Sequence, residues 1–342
     1  MREVFRILDA NFNRAREALR VVEDCGRFAL NDPAITQIAK NLRSGLTEIL
    51  ATMPADEMIA SRDTAGDIGT EISSPTESKR GGLTDVAAAA CKRLTEALRT
   101  IEEYGKFVAP QEVLRIERMR YDAYTLEQRL RDRLAVSDHF AKVRLYVLIT
   151  PKLCHGSVRE TTRSAIAGGA DAIQLRYKGG CDAEFLAMAA ELRELTDDTG
   201  KLFIVNDRPD IAALVGADGV HLGQGDLAVA DARRLLRPGA IVGRSTHSLE
   251  QACGAVTEGA DYVSVGPIFP TTTKDAGPAV GVALLAEVGR QISLPIVPVG
   301  GITAKNAEKV LAAGAQRLAV SSAVCSAADP QAAAEALRAK IK

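Results

Sequence analysis

Eight short runs of β-branched and other apolar residues, set mostly about 20 to 30 residues apart, constrain the fold of residues 143–342 more than any other feature. They are Leu145–Thr150, Ala172–Arg176, Leu202–Asp207, Gly219–Gly223, Ile241–Thr246, Tyr262–Ile268, Pro295–Gly301 and Arg317–Ala323. The gaps leave room for one helix each, the spacing of βα units in a parallel sheet. A short repeat reinforces the rhythm. Gly169-Ala-Asp, Gly216-Ala-Asp, Gly259-Ala-Asp and Gly314-Ala-Gln precede the second, fourth, sixth and eighth runs. Glycine in that place can end a helix with a left-handed residue before the chain turns into a strand. Eight such units in roughly 200 residues predict a compact TIM (β/α)8 barrel. A doubly wound sheet is the alternative, but its usual G-x-G-x-x-G turn is absent.

Residues 1–135 follow a different grammar. They hold 7 glycines against 21 in the remainder, and their apolar residues recur at helical spacing. Arg14–Phe28 (RAREALRVVEDCGRF) matches Arg93–Phe107 (RLTEALRTIEEYGKF) at an offset of 79 residues. Leu19, Val22 and Cys25 share one helical face, as do Leu98, Ile101 and Tyr104, and Gly26 and Gly105 stand where a left-handed C-cap is expected. The repeat predicts an all-α, pseudo-twofold helical domain ahead of the barrel. A charged amphipathic helix over Tyr121–Leu134 closes it, and residues 136–142 are expected as the linker. Between the repeats lies Ser61–Thr70, polar and glycine-bearing, too rich in special residues for a plain spacer.

Charge excludes some partners. Residues 1–135 carry 21 Lys/Arg and 22 Asp/Glu, and the remainder 22 of each, so neither half offers the basic face that nucleic acid needs. The opening MREVFRILDANFNR has charges where an export signal needs an apolar run, and no membrane-length apolar stretch follows. The six cysteines and four histidines are scattered, without zinc or disulfide spacing. The expectation is a cytoplasmic chain with no membrane partner and with cysteines serving as small core residues.

Chemistry in such barrels sits at the C-terminal ends of the strands. The second run ends Gln174-Leu-Arg176-Tyr177-Lys178, and period-2 alternation sends Gln174, Arg176 and Lys178 one way and Tyr177 the other. Two cations and an amide at a barrel mouth suit an anionic substrate. Asn206-Asp207 ends the third run and Gln224-Gly-Asp226 follows the fourth. Asp226 alone would by default be a helix N-cap. Beside the cations, two carboxylates facing a polyanion point to one Mg²⁺, which binds one or two carboxylates plus phosphate oxygens. Thr271, Thr272, Thr273 and Lys274 follow the sixth run, Gly300-Gly301 ends the seventh and Ser321-Ser322 the eighth. Loops after the seventh and eighth strands are where these barrels hold a phosphate. Two phosphorylated small molecules in one barrel imply group transfer or condensation. His221 is expected as a satisfied core or rim histidine.

In order, Q-L-R-x-K, N-D, G-V-H-L-G-Q-x-D, G-x-S-T-H, G-P-I-F-P-T-x-T-K, G-G-I and S-S resemble the motif series of thiamine phosphate synthases, over about residues 143–342. That family often has Glu at x of the first motif, where this chain has Tyr177. The resemblance implies joining of hydroxymethylpyrimidine diphosphate to thiazole phosphate with loss of pyrophosphate. It implies that Gln174, Arg176, Lys178, Asn206 and Ser245 hold the pyrimidine diphosphate and that Asp207 and Asp226 bind Mg²⁺. Thr271, Thr273, Lys274, Gly301, Ser321 and Ser322 then hold the thiazole phosphate or the leaving pyrophosphate. Arg176, Lys178, Ser245 and Lys274 are the expected catalytic residues, and Tyr177 and Thr272 complete the binding motifs.

The first half resembles a helical domain, fused ahead of some such synthases, that is associated with phosphorylating hydroxymethylpyrimidine phosphate with ATP. Asp9, Asn11, Arg14, Arg62, Asp63 and Asp67 are its candidates, although neither a P-loop nor a kinase glycine loop is present. The rival readings are a thiazole tautomerase barrel using His247, and a first half that serves only to form a homo-oligomer.

Overall fold

The computed structural model describes residues 1–30, 32–68, 79–271 and 277–341, without the Val136 side chain. The chain divides into two compact units, Met1–Ala135 and Val136–Lys342.

The first unit is helical. Its helices are α1 (Arg2–Asp24), α2 (Pro33–Ala51), α3 (Ala55–Ala60), α4 (Leu83–Gly105) and α5 (Val113–Ala141), of which residues 136–141 fall in the second unit. The repeated faces pack as expected, with Leu19, Val22, Leu98 and Ile101 fully buried. Glu23 and Glu102, equivalent in the repeat, are also buried. Each meets an arginine of the helix that follows. Arg43 of α2 lies 3.0 Å from Glu23, and Arg120 of α5 lies 2.8 Å from Glu102. A buried carboxylate is tolerable only when so paired.

Two expectations are corrected here. Gly26 and Gly105 are not left-handed caps, since neither has a positive φ. At Gly26 the chain instead passes through a wide π-helical turn, Cys25–Ala29, and a Cβ on Gly26 would stand 2.8 Å from Ile35 Cγ2. Close packing selects that glycine. The second correction concerns the linker. Residues 136–141 continue α5 rather than forming a separate joint.

The second unit is a parallel barrel in the order β7-β6-β5-β4-β3-β2-β1-β8. Its strands are β1 (Leu145–Ile149), β2 (Ala172–Leu175), β3 (Leu202–Asn206), β4 (Gly219–Leu222), β5 (Ile241–Thr246), β6 (Tyr262–Val265), β7 (Ile296–Pro298) and β8 (Leu318–Val320). A single bridge, Val299 to Ala319, joins β7 to β8. Helices α6 (Val158–Ala167), α7 (Asp182–Thr199), α8 (Pro209–Leu214), α9 (Val229–Leu235) and α10 (Leu249–Thr257) follow the first strands in turn. They are succeeded by α11 (Gly281–Gln291), α12 (Ala307–Ala312), α13 (Ser322–Cys325) and α14 (Pro330–Arg338).

The Gly-Ala-Asp repeat has a structural explanation. Gly169, Gly216, Gly259 and Gly314 all take positive φ. The aspartates then tie down the start of the neighbouring strand. Asp171 accepts from the Arg144 and Leu145 N–H groups at 2.9 and 3.1 Å, Asp218 from Phe203 at 2.9 Å, and Asp261 from Val242 at 2.7 Å. These bonds satisfy donors at the N-terminal ends of the strands. Of the cysteines, Cys25, Cys91 and Cys325 are core residues as expected, whereas Cys181 and Cys253 are exposed.

Candidate active site

The upper end of the barrel encloses a cavity of about 110 Å³. Its wall includes Gln174 and Arg176 after β2, Asn206 of β3, Ser245 of β5, Thr271, Gly300-Gly301 after β7 and Ser321-Ser322 after β8. Strand-end position, visible in the sequence, is what brings these side chains to one place.

Beside the cavity stands a pair of acids. Asp207 follows β3 with φ 65°, a left-handed turn that aspartate adopts more readily than most residues. Its N–H donates to the His221 carbonyl at 2.8 Å, which fixes the turn. Asp226 accepts from the Gly223 N–H at 2.6 Å and is not the cap of α9, a place taken by Ala228. Burial and the facing Asp226 carboxyl push the Asp207 carboxyl above its ordinary value, while the ion pair with Lys178 pulls it down. Arg176 is half-buried, and burial pushes its guanidinium down against the charge of Asp207. Among the described residues no cluster of three or more His, Cys, Asp or Glu side chains could hold a metal ion.

Across the barrel the β6 and β7 loops interlock. Gly301 has φ 65°, and a Cβ there would lie 2.6 Å from the Pro270 carbonyl oxygen. Asn306 donates to the Gly301 carbonyl at 2.9 Å and holds the loop from below. Gly301→Ala is therefore expected to cost about 1–3 kcal/mol of stability. Urea denaturation checks this, and an unchanged midpoint would show that the loop has room to yield. Ser321 opens α13, whose first N–H groups lack intrahelical partners. Its hydroxyl is 3.0 Å from that of Thr150.

A family model described as thiamine monophosphate synthase matches residues 145–324. The chain belongs to that family. A second model, described as the ThiD2 family, matches residues 6–129. The thiamine-phosphate synthase of Nostoc sp. (strain PCC 7120) is 40% identical over 329 residues, covering 96% of this chain and 91% of the relative. That of Gloeobacter violaceus is 41% identical and covers 96% and 94%. Among solved structures, the thiamine phosphate pyrophosphorylase from Pyrococcus furiosus is 39% identical with a TM-score of 0.55. It covers 58% of this chain and 95% of its own.

Not every residue expected for a thiamine phosphate synthase lies in the cavity wall. Tyr177 is turned away from it, bonded to Glu184 and packed on Phe185 with ring centroids 5.4 Å apart. Lys178 is exposed at the mouth beside Asp207. Thr272, Thr273 and Lys274 lie outside the described residues. Sequence reasoning missed Tyr146, Tyr262 and Ser264, which line the cavity from within the strands rather than from their C-terminal ends. His221 is hydrogen-bonded as expected but lines the cavity as well, and His247 bonds to the Gly266 carbonyl.

In the helical unit Arg62 grips Asp9 through two bonds of 2.7 and 2.8 Å. Arg6 reaches the Asp63 carbonyl at 2.8 Å and the Asp67 carboxylate at 3.6 Å. Asp9, Arg62, Asp63 and Asp67 thus share one cluster, to which Arg6 must be added. Its place three residues before Asp9 on α1 was the available signal. Asn11 is instead turned inward to the Ile7 carbonyl at 2.8 Å, and Arg14 is exposed on α1. Gly69 and Thr70, the end of the expected polar loop, lie outside the described residues.

Proposed function

We propose that the barrel joins hydroxymethylpyrimidine diphosphate to thiazole phosphate, releasing pyrophosphate, and that the helical unit makes the diphosphate from the monophosphate and ATP. What supports the first part is that the groups suited to binding anions fall in two separate sectors of the barrel mouth. Arg176, Lys178, Asp207 and Asp226 occupy the β2–β4 sector, and Gly300-Gly301 with Ser321-Ser322 the β7–β8 sector. The acid pair fits a divalent cation. Burial first, and then the neighbouring Asp226 carboxyl, hold the Asp207 carboxyl above its ordinary value, and a cation bound there would remove that penalty. Asp207 and Asp226 would hold Mg²⁺, which supplies charge neutralisation to a diphosphate leaving group.

In this reading the C–O bond between the pyrimidine methylene and the diphosphate breaks first. Arg176 and Lys178 bind the departing oxygens, and Ser245 and Asn206 hold the pyrimidine. The ring amino group stabilises the resulting cation, and the thiazole nitrogen then forms the new C–N bond. The protein supplies position and charge rather than a strong base. Gly301, Ser321 and Ser322 hold the thiazole phosphate, which does not react. Thr271, Thr272, Thr273 and Lys274 are assigned to the same phosphate or to the leaving pyrophosphate.

The test is direct. The full chain is supplied with pyrimidine monophosphate, thiazole phosphate, ATP and Mg²⁺, and thiamine phosphate is sought. Product from supplied diphosphate but not from monophosphate and ATP would remove the second half of the proposal. Ser321→Ala with Ser322→Ala should raise the KM for thiazole phosphate more than that for the pyrimidine diphosphate. Each lost charge-assisted bond is worth about 1.5–3 kcal/mol. Equal effects on both substrates would mean that this pocket holds something else.

A further inference from the structure

A chain of hydrogen bonds runs along the wall of the cavity and links Gln174 and Ser245 through residues with no role in the proposed reaction. Gln174 is buried on β2, and its Nε2 donates to the Tyr146 hydroxyl at 2.8 Å. The Tyr146 and Tyr262 hydroxyls are 3.0 Å apart. Tyr262 meets His221 Nδ1 at 2.8 Å, and His221 Nε2 meets the hydroxyls of Ser245 at 3.0 Å and Ser264 at 3.2 Å. The other end of the Gln174 amide, Oε1, is buried and has no hydrogen-bond partner among the described residues. Gln174 lines the cavity. A buried acceptor left unpaired costs about 1–3 kcal/mol, so the geometry calls for a donor from whatever enters.

The proton order of the chain follows from its first bond. Tyr146 oxygen accepts from the amide, so its own proton goes to Tyr262. Tyr262 then donates to His221 Nδ1, which must be the unprotonated ring nitrogen. Nε2–H is left to donate to Ser245 and Ser264. Burial pushes both phenols well above their ordinary values, so each keeps its proton and can pass the order along. The reverse order, starting from a proton on Nδ1, would end with Tyr146 donating to the amide. Gln174 would then have to present its NH₂ to the cavity in place of its oxygen.

We propose that Tyr146, Tyr262 and His221 are positioning residues that lock the Gln174 amide with its acceptor toward the cavity, and so select a pyrimidine bearing an exocyclic N–H donor. This rests on the reading of the barrel as a pyrimidine diphosphate site. A 4-amino ring meets the acceptor, whereas a 4-oxo ring opposes oxygen to oxygen.

The test measures Kd for the aminopyrimidine diphosphate and its 4-oxo analogue on the full chain, the Tyr262→Phe variant and the Tyr146→Phe variant. Thiamine phosphate formation is followed in parallel. The wild type should favour the amino ring by about a hundredfold or more, because the oxo ring leaves buried acceptors unpaired. Tyr262→Phe keeps the ring stacked on Phe140 (centroids 4.4 Å apart) but breaks the chain. It should lower that preference at least about tenfold by letting the amide turn. Tyr146→Phe should do the same and decides the matter if the first variant does not fold. An unchanged preference in a folded variant overturns the relay. Wild-type binding without product overturns the reading of the reaction and leaves the binding ratio to judge the relay separately.

Discussion

Asp207→Asn or Asp226→Asn is expected to lower turnover by two decades or more, roughly 3 kcal/mol of barrier, because each would remove a proposed cation ligand facing the leaving group. The asparagine variants isolate charge from shape. Asparagine tolerates the left-handed φ of 65° at position 207. At position 226 its oxygen can still accept from the Gly223 N–H. Stability should therefore survive while activity does not, and thermal melts beside steady-state rates check both. The pH dependence has a defined sign. The Asp207 carboxyl is held above its ordinary value, so the folded chain binds a proton there that the unfolded chain has released. In that window stability without metal falls as pH rises, and cation affinity rises, since Mg²⁺ needs the ionised pair. Lower pH should thus raise the Mg²⁺ concentration needed for half-maximal rate. Full activity of either variant in limiting Mg²⁺ would sink the metal assignment.

Asp67→Asn is expected to abolish phosphorylation of the pyrimidine monophosphate by the full chain and to leave condensation intact when diphosphate is supplied. Asp63 and Asp67 are about half exposed, and their pairing with Arg6 is a surface contact. Such pairs contribute about 0–1 kcal/mol, too little to unfold a helical unit that buries Leu8, Phe12, Leu19 and Leu98 completely or nearly so. A loss of two decades would then report chemistry rather than stability. The cluster combines carboxylates and guanidinium groups, the components that phosphoryl transfer needs to manage Mg²⁺ and phosphate. A coupled assay for ADP with the two half-reactions run separately checks it. If the wild type turns over no ATP and only its mass in solution depends on residues 1–135, the unit is an assembly module.

The barrel was legible because each level of the sequence agreed with the next. Apolar runs marked strands, Gly-Ala-Asp marked their approaches, and most of the polar residues picked out at their ends line one cavity. The strands are mostly shorter than expected because the terminal residues, such as Arg176 and Asp207, leave the ladder to face the mouth. Tyr146 and Tyr262 were hidden for a physical reason. A phenol inside Leu145–Ile149 or Tyr262–Val265 looks like one more core residue until its partner from another strand is known. The acid-and-arginine cluster of the helical unit was half legible. Ser61–Thr70 announced itself by composition, but only the packing of α3 near α1 could show that Arg6 and Asp9 are what it meets.

The β7–β8 closure gives the barrel a seam. Elsewhere neighbouring strands share ladders of three or four registered residues, but here one bridge holds the two edges. Gly300-Gly301 lies on one edge and Ser321-Ser322 on the other. A phosphate gripped by both would act as the missing rung of the ladder. Binding would then add stability as well as position the substrate, since the contacts that hold the ligand would also hold the two edges of the barrel together.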